Sequence, residues 1–215
     1  MGAKPRFDLA VYLITDPVLC GVRGVEATVQ AAVAGGATIV QLRHPNAATR
    51  PLVEEARAIA AACRAAGVPF IVNDRVDVAL AVDADGVHVG QSDMHPADAR
   101  RLIGPNRILG LSITSEDDLA RSDFAGVDYL GVGPVYATGT KVDAAPPMAI
   151  GGLRAICART TLPVVAIGGL HAGNAAEAVA AGADGVAVVS AICGAPDPEE
   201  AARELRMIVA GARLG

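Results

Sequence analysis

Tryptophan is missing from this 215-residue chain, and aromatic residues of every kind make up only 3% of it. Apolar residues nevertheless reach 52%. A core must therefore be built from Ala, Val, Ile and Leu, which suits buried parallel strands packed closely under helices. Excess basic charge is missing too. With 18 Lys and Arg against 23 Asp and Glu, the net charge is -5, which argues against a nucleic-acid binder, although local cations can still hold a phosphate. No apolar run approaches the roughly 20 residues that span a bilayer. The first residues lead into a strand pattern and not into the apolar stretch of a secretory signal, so a cytoplasmic protein without a membrane partner is the expectation. Cys20, Cys63, Cys157 and Cys193 form no CxxC pair and lack zinc-ligand spacing. They read as small buried thiols.

What is present is an alternation. Short β-branched runs occur at residues 9–14, 38–42, 70–73, 86–89, 108–111, 129–132, 164–167 and 185–189. Between them lie Ala-rich segments with helical spacing, such as 25–34, 49–66, 96–102 and 198–212. Glycines before the strands, at Gly35-Gly36, Gly67, Gly86 and Gly182, read as helix C-caps. Eight strand–helix units at this length fit a closed (β/α)₈ TIM barrel better than an open sheet. No linker or low-complexity segment interrupts it, so residues 1–215 are read as one domain. Nothing in the sequence sets the oligomeric state, and a homo-oligomer is compatible with it.

In such a barrel the chemistry sits where strands end. Polar residues stand at those ends: Gln41 and Arg43 at the end of the second run, Asn73 and Asp74 at the end of the third, Asp93 beyond the fourth, Ser112 after the fifth. The sixth is followed by Thr138-Gly-Thr-Lys141, the seventh by Gly168-Gly169, and the eighth ends in Val189-Ser190. All would converge on one cavity.

Asp74 and Asp93 are candidate Mg²⁺ ligands, since Mg²⁺ takes one or two carboxylates plus phosphate oxygens and water. Alternatively, they cap the helices starting near Arg75 and Pro96. Gly168-Gly169 with Ser190 suits a phosphate cradle of exposed backbone N–H groups, or simply tight turns. Arg43 and Lys141 can grip a diphosphate by fork and by point charge, or pair with helix carboxylates. The four histidines, His44, His88, His95 and His171, share no metal spacing, and His88, inside a strand pattern, reads as a barrel-interior residue and not as a base.

Taken in order, Gln41-Leu-Arg43, Val72-Asn-Asp-Arg-Val-Asp77, Gly86-Val-His-Val-Gly-Gln-Ser-Asp93, Gly131-Val-Gly-Pro-Val-Tyr136 with Thr138-Gly-Thr-Lys141, and Ile167-Gly-Gly169 resemble the thiamine-phosphate synthase family over nearly the whole chain. The resemblance implies a (β/α)₈ enzyme that joins a pyrimidine diphosphate to a thiazole phosphate. It implies Mg²⁺ held by Asp74 and Asp93. Gln41, Arg43, Asn73, Ser112 and Lys141 would hold the pyrimidine and its diphosphate, with Arg43, Ser112 and Lys141 nearest the reaction. Thr138, Thr140, Gly169, Val189 and Ser190 would hold the thiazole phosphate.

Two positions depart from the family pattern. His44-Pro45 stands where relatives often carry an acidic residue and a lysine, and Ala137 replaces a usual proline. The first removes a cation, for which a protonated His44 is a partial substitute, and weaker affinity for the pyrimidine diphosphate is the expectation. Two other readings remain at this point: a related thiazole tautomerase, and a catalytically silent phosphate-binding barrel.

Overall fold

The computed structural model describes residues 4–140 and 145–214. Eight strands, β1 (Val11–Ile14), β2 (Ile39–Leu42), β3 (Phe70–Asn73), β4 (Gly86–Val89), β5 (Ile108–Ile113), β6 (Tyr129–Val132), β7 (Val164–Ile167) and β8 (Gly185–Val188), pair in sequence order. Every pairing is parallel, and β8 returns to β1, with Val11 facing Val186, to close the barrel. The expected strands are found, with β1 starting two residues later at Val11, β2 one later at Ile39, β5 running two residues further and β8 stopping before Val189.

The helices are α1 (Pro17–Cys20), α2 (Val25–Ala34), α3 (Thr49–Ala66), α4 (Val76–Ala81), α5 (Pro96–Ile103), α6 (Glu116–Arg121), α7 (Ala149–Cys157), α8 (Ala175–Ala180), α9 (Ser190–Cys193) and α10 (Pro198–Ala212). The long ones follow the Ala-rich segments, and α3 ends in left-handed Gly67 as the glycine signal predicts. Gly86 is different. It opens β4, and α4 closes earlier, at Val82. Among the described residues no helix is long and apolar enough to cross a membrane.

Buried side chains form two layers. One lies between sheet and helices and contains Val40, Val87, Leu111 and Val132 with Ile59, Leu153 and Leu205 from the helices. The other fills the barrel itself: Tyr12, Ile39, Ile71, Ile108, Tyr129 and Val165 are among its members. Small residues make room for the few large ones. A Cβ on Gly110 would lie 2.2 Å from Tyr129 and 2.4 Å from His88, so Gly110 admits both rings to the barrel interior. Cys20, Cys63 and Cys193 are buried and Cys157 half-buried, with no disulfide among them.

The N-terminal rim is stitched in a fourfold pattern. The residue just before each even-numbered strand accepts, through its side chain, a backbone N–H of the strand before it. Thr38 takes Val11 at 3.0 Å, Asp85 takes Phe70 at 2.9 Å, Asp128 takes Leu109 at 2.8 Å and Asp184 takes Val164 at 2.7 Å. These bonds satisfy strand donors at the sheet margin that would otherwise lack a partner.

Candidate active site

At the opposite rim lies a cavity of about 1060 Å³ including its open mouth. Gln41, Arg43, Asn73, Asp74, Asp93 and Ser112 line one side. Thr138, Thr140, Gly169, Val189 and Ser190 line it as well. Every site residue expected from the sequence and described in the structure is thus brought to one cavity. Lys141 lies outside the described residues.

Near the end of β2 Gln41 is buried and points inward to Tyr12, and the next residue but one, Arg43, is tethered through its N–H to Thr15 Oγ1 at 3.1 Å. The Arg43 guanidinium has no hydrogen bond or ion pair among the described residues, so pairing with a helix carboxylate is not what occupies it. Its neighbour His44 departs from the expected role. Its Nδ1 lies 2.8 Å from Glu55 Oε2 on α3, and with Pro45 it lines a separate groove that touches Asn73 and Asp74 from behind.

Neither acidic candidate caps a helix. The cap positions of α4 and α5 belong to Arg75 and His95, and His95 Nδ1 accepts the Ala97 N–H. Asp74 instead sits just past β3 in the left-handed region at φ 58°, a conformation that Asp tolerates better than most residues. Its N–H donates to the His88 carbonyl at 2.8 Å and its Oδ2 accepts from Asn73 Nδ2 at 2.6 Å. Asp93 Oδ2 accepts the Gly90 N–H at 2.8 Å, which folds the β4 loop back on itself. Both carboxylates are thereby held at the cavity wall.

The loop after β6 is strapped to its neighbours before it reaches Thr138. The Val135 N–H donates to Ile167 O at 2.8 Å and the Tyr136 N–H to Gly168 O at 3.0 Å. Tyr136 also donates its hydroxyl to Glu177 on α8 at 2.6 Å, a carboxylate contact that pushes the phenol up to about 12. The glycine pair is required here. Gly169 has φ 64°, and a Cβ on it would lie 2.7 Å from Ala137 O. Val189 is the N-cap of α9 and Ser190 its first residue, so this wall is a strand-to-helix junction and not the strand end expected from the sequence.

Sequence reasoning missed the two tyrosines beneath the cavity and the links they make to Gln41, His88 and Ser112. Gln41 Nε2 donates to the Tyr12 hydroxyl at 2.8 Å, which lies 2.7 Å from the Tyr129 hydroxyl. Tyr129 is 2.9 Å from His88 Nδ1, and His88 Nε2 is 2.9 Å from Ser112 Oγ. Burial pulls His88 down to about 4, opposed in part by the charge of Asp93, so its ring is neutral at pH 7. Burial raises both tyrosines above the ordinary phenol range. Alternation along β1 and β6 places both tyrosines inward, but their partners are set by the closure of the barrel.

A parallel (β/α)₈ barrel with acidic, hydroxyl and glycine-loop walls at the C-terminal ends of its strands defines the class: a barrel built to take phosphorylated small molecules. Comparison with known proteins narrows it. Residues 11–192 match the family described as thiamine monophosphate synthase, and the chain belongs to that family. It is 60% identical to the thiamine-phosphate synthase of Xanthobacter autotrophicus, across 98% of this chain and 99% of that one. Its identity to the thiamine-phosphate synthase of Azorhizobium caulinodans is 52%, across 96% and 98% of the two chains. The solved thiamine phosphate pyrophosphorylase from Pyrococcus furiosus superimposes with a TM-score of 0.86 at 41% identity, covering 95% of this chain and 97% of that one.

Proposed function

We propose that this chain is a thiamine-phosphate synthase that joins 4-amino-2-methyl-5-hydroxymethylpyrimidine diphosphate to 4-methyl-5-hydroxyethylthiazole phosphate. The products are thiamine phosphate and diphosphate. The observation that carries this reading is the gathering of two acidic residues, Arg43 and two hydroxyl- or glycine-bearing walls around one cavity, on a chain of this family.

Gln41, Asn73 and Ser112 orient the pyrimidine, and the Arg43 fork faces the diphosphate with Lys141 as a second cation. Thr138, Thr140, Gly169, Val189 and Ser190 take the thiazole phosphate. In the reaction the bond between the pyrimidine's exocyclic carbon and the diphosphate oxygen breaks, and its electron pair leaves with the diphosphate. The aminopyrimidine stabilises the resulting cation, and the thiazole nitrogen's lone pair forms the new C–N bond. No protein nucleophile is needed, so the chain contributes positioning and charge neutralisation.

The donor set fits a hard divalent cation. Asp74 and Asp93 supply carboxylate oxygens at the cavity wall, and no group of three His, Cys, Asp or Glu converges among the described residues. Two carboxylates completed by substrate oxygens and water is the arrangement Mg²⁺ prefers, and bound there it would neutralise the departing diphosphate. An assay with both substrates, with Mg²⁺ present or chelated, tests the reading. Thiamine phosphate formed only with Mg²⁺ is the expected result, and no product from folded protein would overturn it.

A further inference from the structure

We infer that Tyr12, Tyr129 and His88 form a one-way hydrogen-bond chain that fixes which cavity groups accept and which donate, making Gln41 an acceptor and Ser112 a donor toward the substrate. The chain runs from Gln41 through Tyr12, Tyr129 and His88 to Ser112 in four contacts of 2.7–2.9 Å. Its middle is sealed: Tyr12 is 1% and Tyr129 0% exposed.

The direction follows from counting hydrogens. Each phenol has one hydrogen and each neutral imidazole one N–H. Gln41 Nε2 already donates to the Tyr12 oxygen, so the Tyr12 hydrogen must go to Tyr129, the only other partner of that hydroxyl among the described residues. The Tyr129 hydrogen then goes to His88 Nδ1, which must be bare. His88 therefore carries its proton on Nε2 and donates it to Ser112 Oγ. Ser112 is left with its own hydrogen free for the cavity, and Gln41 with its carbonyl oxygen, because the second Nε2 hydrogen has the neighbouring Tyr129 oxygen as its partner. No buried side-chain oxygen or nitrogen among the described residues lacks a partner, as this order requires. An imidazolium, or a proton on Nδ1, would leave one of the two phenols with a hydrogen and nowhere to send it, at a buried site where such a loss is costly.

The two ends match an aminopyrimidine. Its exocyclic amine needs an acceptor and its ring nitrogen a donor. An oxo group in place of the amine would instead meet the Gln41 carbonyl oxygen to oxygen. This part rests on the function proposed above. Tyr12, Tyr129 and His88 are then positioning residues that select the substrate through Gln41 and Ser112.

The test starts without substrate. Two-bond ¹⁵N–¹H correlation spectra of the ¹⁵N-labelled protein at pH 7, with the His88 signals assigned by their loss in His88→Gln, read the imidazole directly. A neutral ring protonated on Nε2 is expected. A ring protonated on Nδ1, which means that Gln41 has turned its amide over, or an imidazolium, overturns the inference. Tyr129→Phe then keeps the ring and removes the relay. The pyrimidine diphosphate KM should rise about tenfold, the worth of one hydrogen bond, with the thiazole phosphate KM unchanged and kcat within about threefold. Equal changes in both KM values would mark a merely structural role and overturn it. An Nε2 tautomer in a protein that makes no thiamine phosphate would leave the chain standing and remove only the proposed reaction.

Discussion

The hydroxyls of Tyr12 and Tyr129 lie 2.7 Å apart, although their strands, β1 and β6, are not neighbours in the sheet. The contact crosses the barrel interior. It places a polar bridge, flanked by buried Gln41 and His88, inside a core of mostly aliphatic side chains directly beneath the cavity.

Burial of His88 beside that bridge gives the fold an acid sensitivity. His88 titrates near 4 when folded and from an ordinary value of 6.5 when unfolded. Between those values the unfolded chain binds the extra proton, so stability rises with pH through this window and is lost as pH falls from 6.5 toward 4. The shift is worth about 3 kcal/mol. Thermal melts at pH 7 and pH 4.5 should show a larger loss for the wild type than for His88→Gln. Equal losses would mean that His88 is not the group responsible.

Asp93→Asn should lower turnover roughly 100-fold while moving the melting temperature little. The side chain sits at the cavity wall and caps no helix, and Asn keeps an oxygen that can accept the Gly90 N–H, so the loop is preserved. Parallel calorimetry and initial rates over a Mg²⁺ titration separate the effects. A fall in stability matching the fall in rate would give Asp93 a structural part only.

Pro45→Lys should lower the KM for the pyrimidine diphosphate severalfold. Pro45 lines the groove behind Asn73 and Asp74, and His44 is engaged with Glu55, so nothing at this turn now supplies the missing cation. Steady-state kinetics with the second substrate saturating is the check, and an unchanged or higher KM would refute the expectation.

Gly169→Ala should raise the KM for the thiazole phosphate by about tenfold or more, since the new Cβ meets Ala137 O at 2.7 Å and the left-handed φ adds roughly 1 kcal/mol of strain. Isothermal titration with the thiazole phosphate alone would detect the weakened binding.

The sequence made the barrel readable because each strand is a nearly continuous β-branched run and each long helix an Ala-rich one. The polar residues that follow the strands needed only the closed topology to be brought to one mouth, and Gln41, Asn73, Asp93 and Ser112 arrive there from four different strands. What was not legible depends on distances between strands far apart in the chain. Tyr12 and Tyr129 are separated by 117 residues, and no local pattern pairs them. His88 reads correctly as an interior residue, yet its link to Ser112 appears only once β4 and β5 are in register. His44 illustrates the reverse: its turn was readable, but Glu55, 11 residues on, takes it away from the role expected of it.

The side-chain bonds from Thr38, Asp85, Asp128 and Asp184 each tie an odd strand to the even strand after it, and none joins an even strand to the next odd one. The chain therefore counts in quarters of two strands, although no repeat can be aligned in its letters. Quarters are also the natural places to cut. New termini in the 104–107 segment between α5 and β5 would fall between quarters and leave all four ties whole. Termini between β3 and β4 would open a quarter and place its tie, Phe70 to Asp85, across the break.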